Sequence, residues 1–139
     1  MQSRILHAIN DQGAEVLGNL LAQFFEALVP AFRDKADEIQ IERMEAGAKI
    51  TYNGKSVSVS LTSQRGYPAI AFSRIRILSG LTINSDGPRQ TGKFRVQYND
   101  EFIPVNVSMH TENDKREIMT LQPAWNEVEF NHVKKSGLE

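Results

Sequence analysis

The spacing of apolar residues switches along this chain from a helical period to strict alternation, and then repeats that switch. The pattern confines the fold to helices and strands in a fixed order. From about Asn10 to Phe32, the residues Val16, Leu17, Leu20, Leu21, Phe24, Phe25, Leu28 and Phe32 recur at three- and four-residue intervals, with Asn10 or Asp11 available as cap. This predicts an amphipathic helix. Each large residue on its stripe gains about 1.5–3 kcal/mol on burial, so the helix needs a sheet or another helix against it. Pro30 is expected to end or bend it near Arg33, Asp34 and Lys35. From Glu38 the period becomes two: Ile39 and Ile41 alternate with Gln40 and Glu42, and Ala48 and Ile50 with Lys49 and Thr51. Asn53-Gly54 then suits a type I′ hairpin, whose two turn positions need positive φ, and Val57, Val59 and Leu61 carry the returning strand.

After Arg65-Gly66, Pro68 can open a second helix with Ile70, Ala71, Ile75, Leu78 and Leu81 inward and Gly80 as its cap. Alternation then returns in Phe94, Val96 and Tyr98, followed by a turn at Asn99-Asp100 and a row of Ile103, Val105, Val107 and Met109. A third strand around Glu117 to Leu121 completes the meander. The predicted class is α+β: an antiparallel sheet of about six strands in two three-stranded meanders, in the order α-βββ-α-βββ, with helices packed on one face. Residues 1–12 are expected to form an N-terminal segment, 13–123 the α+β domain, and 124–139 a C-terminal linker or short helix. A length of 139 residues suits one such core.

Charge and composition narrow the function classes. Sixteen basic against seventeen acidic residues leave a net charge of -1, which gives no overall field for nucleic acid or an anionic membrane. The absence of cysteine excludes disulfides, thiol catalysis and zinc-thiolate sites. No apolar run reaches membrane-spanning length and the start lacks a signal-peptide core, so the expected location is cytoplasmic without membrane insertion.

Gly87-Pro88-Arg89-Gln90-Thr91-Gly92-Lys93 fits the G-x-x-x-x-G-K core of a phosphate-binding loop. Its next position should carry a hydroxyl for magnesium and should open a helix whose amides face the phosphates. Phe94 carries no hydroxyl, and the residues after it alternate as a strand. A turn leading into a strand is therefore expected. His7, His110 and His132 have no metal-ligand spacing, and no metal is expected. The carboxylate pairs Glu42 with Glu45, and Asp100 with Glu101, read as solvated surface, and no serine lies in a nucleophile elbow. Arg74 and Arg76 with Lys115 and Arg116 could form a basic patch for phosphate or an acidic protein surface, though such residues more often form a solvated face.

Read in order, Ala36-Asp37-Glu38-Ile39-Gln40-Ile41-Glu42, Thr51-Tyr52-Asn53-Gly54 and Ser73-Arg74-Ile75-Arg76-Ile77-Leu78-Ser79-Gly80-Leu81-Thr82-Ile83 form a further pattern. It continues in Arg89-Gln90-Thr91-Gly92-Lys93-Phe94, Ile103-Pro104-Val105-Asn106-Val107-Ser108 and Lys115-Arg116-Glu117-Ile118-Met119, and ends in Val133 to Leu138. This succession, from about Val16 to Leu138, resembles the domain that precedes the motor domain in the type II secretion and type IV pilus assembly ATPases. In that family the first, third and fourth stretches look like Ala-Ser-Asp-Ile-His-Ile-Glu, Ser-Arg-Ile-Lys-Val-Met-Ala-Gly-Leu-Asp-Ile and Pro-Gln-Asp-Gly-Arg-Ile/Phe. Order and spacing carry the resemblance, since each piece alone is degenerate.

The resemblance implies an accessory domain of PAS-like shape that packs on neighbouring motor domains in a hexameric ring and moves with nucleotide state. Implied partners are the motor domain of the same or a neighbouring subunit and inner-membrane platform proteins, which would hold the chain at the periphery of that membrane. ATP and magnesium would belong to the motor of the parent ATPase, with no cofactor and no catalysis in this chain. Lys93 and Arg116 keep basic residues where the family has them, implying contact with nucleotide held by a neighbouring motor domain. Asn106 and Thr120 stand where family members carry arginines, and neither supplies the charge that offsets phosphate. The rival reading is a stand-alone adaptor or sensor of the same fold, with a protein partner or small ligand in the sheet–helix groove. A third is a small nucleotide-binding enzyme built on Gly87 to Lys93.

Overall fold

A computed structural model of the chain describes residues 6–9, 21–62, 65–81, 90–98, 100–112 and 116–130. The first expected helix appears as α1, Ala22–Arg33, with Phe24, Phe25, Leu28, Ala31 and Phe32 buried along one side and Leu21 buried just before it. Pro30 does not end it. It lies in the last turns, and its carbonyl accepts from the Asp34 amide at 3.0 Å, so the helix runs on to Arg33. The proposed caps Asn10 and Asp11, and Val16, Leu17 and Leu20, lie outside the described residues. So do Thr82, Ile83, Gly87 to Arg89, Asn99, Lys115, His132 and Val133 to Leu138.

Two antiparallel meanders follow in the expected order. The first comprises β2 (Ile39–Arg43), β3 (Gly47–Tyr52) and β4 (Lys55–Ser60). Asn53 and Gly54 turn between β3 and β4 with φ of 50° and 77°, the left-handed pair that a type I′ turn requires. The second comprises β5 (Gln90–Tyr98), β6 (Glu101–Glu112) and β7 (Arg116–Pro123). Strand β7 lies beside β2, joining the two into a single sheet of order β1-β5-β6-β7-β2-β3-β4.

The sheet exceeds the expected six strands at two places. Strand β1 (Leu6–Ile9) pairs with β5, and β8 (Glu129–Phe130) pairs with the start of β6. The second addition follows from length. Strand β6 has 12 residues and β7 only 8, so the Glu101 end of β6 is left open on that side and β8 fills it. Elements of four and two residues carry too little alternation to be read from sequence.

The alternation fixes which face meets the helices. Ile39 and Ile41, Ala48 and Ile50, Phe94 and Val96, Ile103 to Met109 in alternate positions, and Met119 with Leu121 form one buried row set, continuous with the apolar side of both helices. Helix α2 (Tyr67–Ser79) carries Tyr67, Ala71, Phe72 and Ile75 into this core, while Ile70 and Leu78 are only half-buried. Phe24 meets Phe72, and Phe25 meets Phe94, each with ring centroids 6.2 Å apart. Gly80 closes α2 with φ of 83°, as the amides of Gly80 and Leu81 return to the carbonyls of Ile77 and Arg76.

The end of α2 rests on β5, and this explains Gly92. A Cβ at that position would sit 2.1 Å from the Ser79 carbonyl oxygen, so only glycine lets the helix terminus reach the strand. At the other end of the core, Trp125, in a short 3-10 turn after β7, donates its indole N–H to the Ala36 carbonyl at 2.8 Å and packs edge-on against Phe32. Among the described residues no helix is long and apolar enough to cross a membrane.

Leu21→Ala should cost about 2–5 kcal/mol in urea unfolding, as expected for a core leucine. A loss below about 0.5 kcal/mol would contradict its burial against the sheet. Gly92→Ala should cost at least about 1–3 kcal/mol, because the Ser79 carbonyl must move. A neutral result would mean that α2 does not end on β5.

Candidate functional site

The face of the sheet away from the helices is lined by the alternate residues of each strand, which are mostly polar, with Phe102, Pro104 and the buried Ile118 as apolar members. Lys93 on β5 is exposed there, opposite Asn106 of β6, and Asn106 is in turn opposite Gln122 of β7. Thr120 lies on the same face between Ser108 and Gln40 and is buried among its neighbours. Lys93, Asn106 and Thr120 therefore share one polar surface. Arg116 is on that face as well, but at the far end of β7, where it pairs with Glu112. It stands six positions along β7 from Gln122, about 20 Å along the sheet from the level of Lys93. The two basic residues singled out by the resemblance are not brought together.

Arg116 is also already engaged. Its guanidinium donates Nε to Glu42 Oε2 at 2.8 Å and Nη2 to Glu42 Oε1 at 3.0 Å, and its Nη1 lies 3.2 Å from Glu112 Oε1. This two-pronged bond to Glu42 ties β7 to β2 across the sheet. The hydrogen bond from Arg116 is the main cause that lowers the Glu42 carboxyl below its ordinary 4.5, with burial working in the opposite direction. Glu42 thus serves an arginine and does not pair with Glu45. His110 Nε2 lies 3.2 Å from Glu112 Oε2 on the same face. Among the described residues no group of three histidine or acidic side chains could hold a metal ion.

The expected basic patch is divided by the sheet. Arg74 is exposed on α2, while Arg76 turns toward the sheet and Arg116 stands on the opposite face. Arg76 Nη2 meets Glu117 Oε2, and Arg43 Nε donates to Glu117 Oε1 at 2.8 Å. Glu117 is buried, so two guanidinium groups converge on one carboxylate at the boundary between helix and sheet. Burial, and secondarily the charge of Arg43, push Arg76 below the ordinary arginine value. No motif or residue spacing in the sequence marks this cluster. Strand parity could have revealed it, because Glu117 shares the face of Met119 and Leu121, and Arg43 that of Ile39 and Ile41.

The described part of the phosphate-loop motif is strand. Gln90, Thr91, Gly92 and Lys93 begin β5, Phe94 is buried, and the helix end nearest Gly92 is the carbonyl end of α2. A helix C-terminus carries partial negative charge and disfavours phosphate. Together these features leave a polar, hydrogen-bonding surface around Lys93 and Asn106, and an arginine-carboxylate clamp at the other end of the same face. Compared with known proteins, the chain matches no family model and no curated sequence.

Glu117→Gln should destabilise the fold by about 3–5 kcal/mol, since it leaves Arg43 and Arg76 facing one another without an anion. A change under about 1 kcal/mol would show that both arginines escape to solvent. Glu42 gives a pH test. Its depressed value means that the folded state binds this proton less readily than the unfolded chain. The Arg116 contact therefore stabilises above pH 4.5 and is lost as the pH falls through the lower folded value. In Arg116→Ala, NMR titration should find the Glu42 carboxyl back near 4.5, and an unshifted titration would refute the contact.

Proposed function

We infer that this chain is a non-catalytic accessory domain of the kind that precedes the motor in type II secretion and type IV pilus assembly ATPases. In this reading it contributes subunit contacts and couples motor motion in a hexameric ring. The observation that carries it is adjacency. The stretches that bear the resemblance lie far apart in sequence, yet those on β2, β7, β6 and β5 are consecutive neighbours in the sheet, and the longest lies on α2 across them. A coincidence of short degenerate motifs has no reason to select one contiguous unit of the fold.

The departures from the family pattern shape the role. Asn106 and Thr120 bring no charge to the polar face, and Arg116 is held by Glu42 and Glu112. Among these positions only Lys93 stands exposed and basic with no ion pair to another described residue, so the coupling runs chiefly through protein contact and not through phosphate. The partners are the motor domain of the same or a neighbouring subunit and the inner-membrane platform of the pilus or secretion system. ATP and magnesium belong to the motor.

Calorimetry of the 139-residue chain with MgATP should give no binding heat, whereas titration with a motor-domain ring of this ATPase class should give saturable binding. Micromolar MgATP affinity abolished by Lys93→Ala would overturn the reading in favour of a nucleotide-binding enzyme. Failure to bind any motor ring would favour the stand-alone adaptor.

A further inference from the structure

Among the described residues, strand β4 is the last strand of the sheet on its side, and Lys55 to Ser58 and Ser60 are all exposed. Sheet edges in soluble proteins are normally blunted by charge, proline or a bulge, because their free amides and carbonyls accept another strand. Here the only charge is Lys55 at the turn, which lies 3.8 Å from Asp34 and over the Tyr52 ring. The stretch Ser56-Val57-Ser58-Val59-Ser60 has no charge, no proline and no break in its ladder with β3.

The turn decides which backbone groups face outward. In a two-residue hairpin the flanking residues exchange both hydrogen bonds, so Tyr52 and Lys55 form a bonded pair. Alternation then directs the amides and carbonyls of Lys55, Val57 and Val59 toward β3, and those of Ser56, Ser58 and Ser60 away from it. Side chains alternate with the same period. Val57, opposite Ile50, and Val59, opposite Ala48, are on the helix side, where Val57 remains 46% exposed.

This segment reads the same in both directions about Ser58. We propose that β4 is a self-association edge, pairing antiparallel with β4 of a second copy about a two-fold axis at Ser58. Ser58 then faces its own counterpart and Ser56 faces the partner's Ser60, giving about six main-chain hydrogen bonds. Val57 faces the partner's Val59 on the helix side, so the two valines of each copy complete one apolar row across the joint. No like charges meet. A second copy meets this edge about a two-fold axis with each contact made twice, and the palindrome sets serine against serine and valine against valine at every position of the joint. The interface is small, so the dimer is weak, with dissociation in about the micromolar to millimolar range.

Sedimentation equilibrium of the full chain should therefore show a concentration-dependent rise from 15.7 kDa toward twice that mass. Ser58→Pro removes an amide that points away from β3, so the fold should survive, by circular dichroism, while the mass stays monomeric at every concentration. The chain has no cysteine, which allows a second test that does not depend on that variant folding. Oxidised Ser58→Cys should form a covalent dimer, because paired residues in this register lie about 5.5 Å apart, within disulfide reach. Ser56→Cys should not, because the two copies of residue 56 are displaced along the strand by about 13 Å. A wild-type mass that stays monomeric throughout, association undiminished in folded Ser58→Pro, or cross-linking of Ser56→Cys equal to that of Ser58→Cys would each overturn the proposal.

Discussion

The antiparallel ladder between β2 and β7 joins two meanders that are separated in sequence by α2, and it turns them into one sheet with a common apolar face for the helices. Ile39 opposite Leu121 and Ile41 opposite Met119 supply its apolar pairs on the helix side. One step further along, Arg43 reaches Glu117, and on the other face Glu42 is held by Arg116. A central seam with apolar pairs along its length and ion pairs on both faces at one end can adopt only one register. A slip of one residue would expose the isoleucines and bury Gln40 and Glu42.

The crossing of α2 depends on that seam. The helix leaves β4 at one edge of the sheet and must deliver the chain to β5 on the far side of β7 and β6. It does so with Arg76 over Glu117 and with its last carbonyl against Gly92. Gly92 and Lys93 thus owe their resemblance to a phosphate loop to a packing demand: the glycine makes room for a helix end, and the lysine next to it faces water on the opposite side of the strand. The same alternation on β2 and β7 puts Arg43 and Glu117 on the helix side of the sheet and Glu42 and Arg116 on the other.

The order of elements and the core were readable from the sequence, because Ile39 to Thr51, Phe94 to Tyr98 and Ile103 to Met109 alternate cleanly and Phe24 to Phe32 keep a helical spacing. Tyr67 and Phe72 were less visible, since α2 carries Arg74 and Arg76 among its apolar residues and its stripe is uneven. The site was less legible than the fold. The family resemblance singled out Lys93 and Arg116, but strand register sets them far apart and gives Arg116 to Glu42 and Glu112. Glu117 escaped notice because an acidic residue beside Arg116 reads as surface until the parity of β7 is fixed by its neighbours.

Native-state hydrogen exchange measures the seam directly. The amides that bond β2 to β7 should be among the slowest in the chain, exchanging only through global unfolding, with protection that falls in parallel with stability in Glu117→Gln. Exchange of the β2–β7 amides markedly faster than those within β5–β6 or β2–β3 would contradict the account, since it would show two meanders that fold separately and meet only loosely.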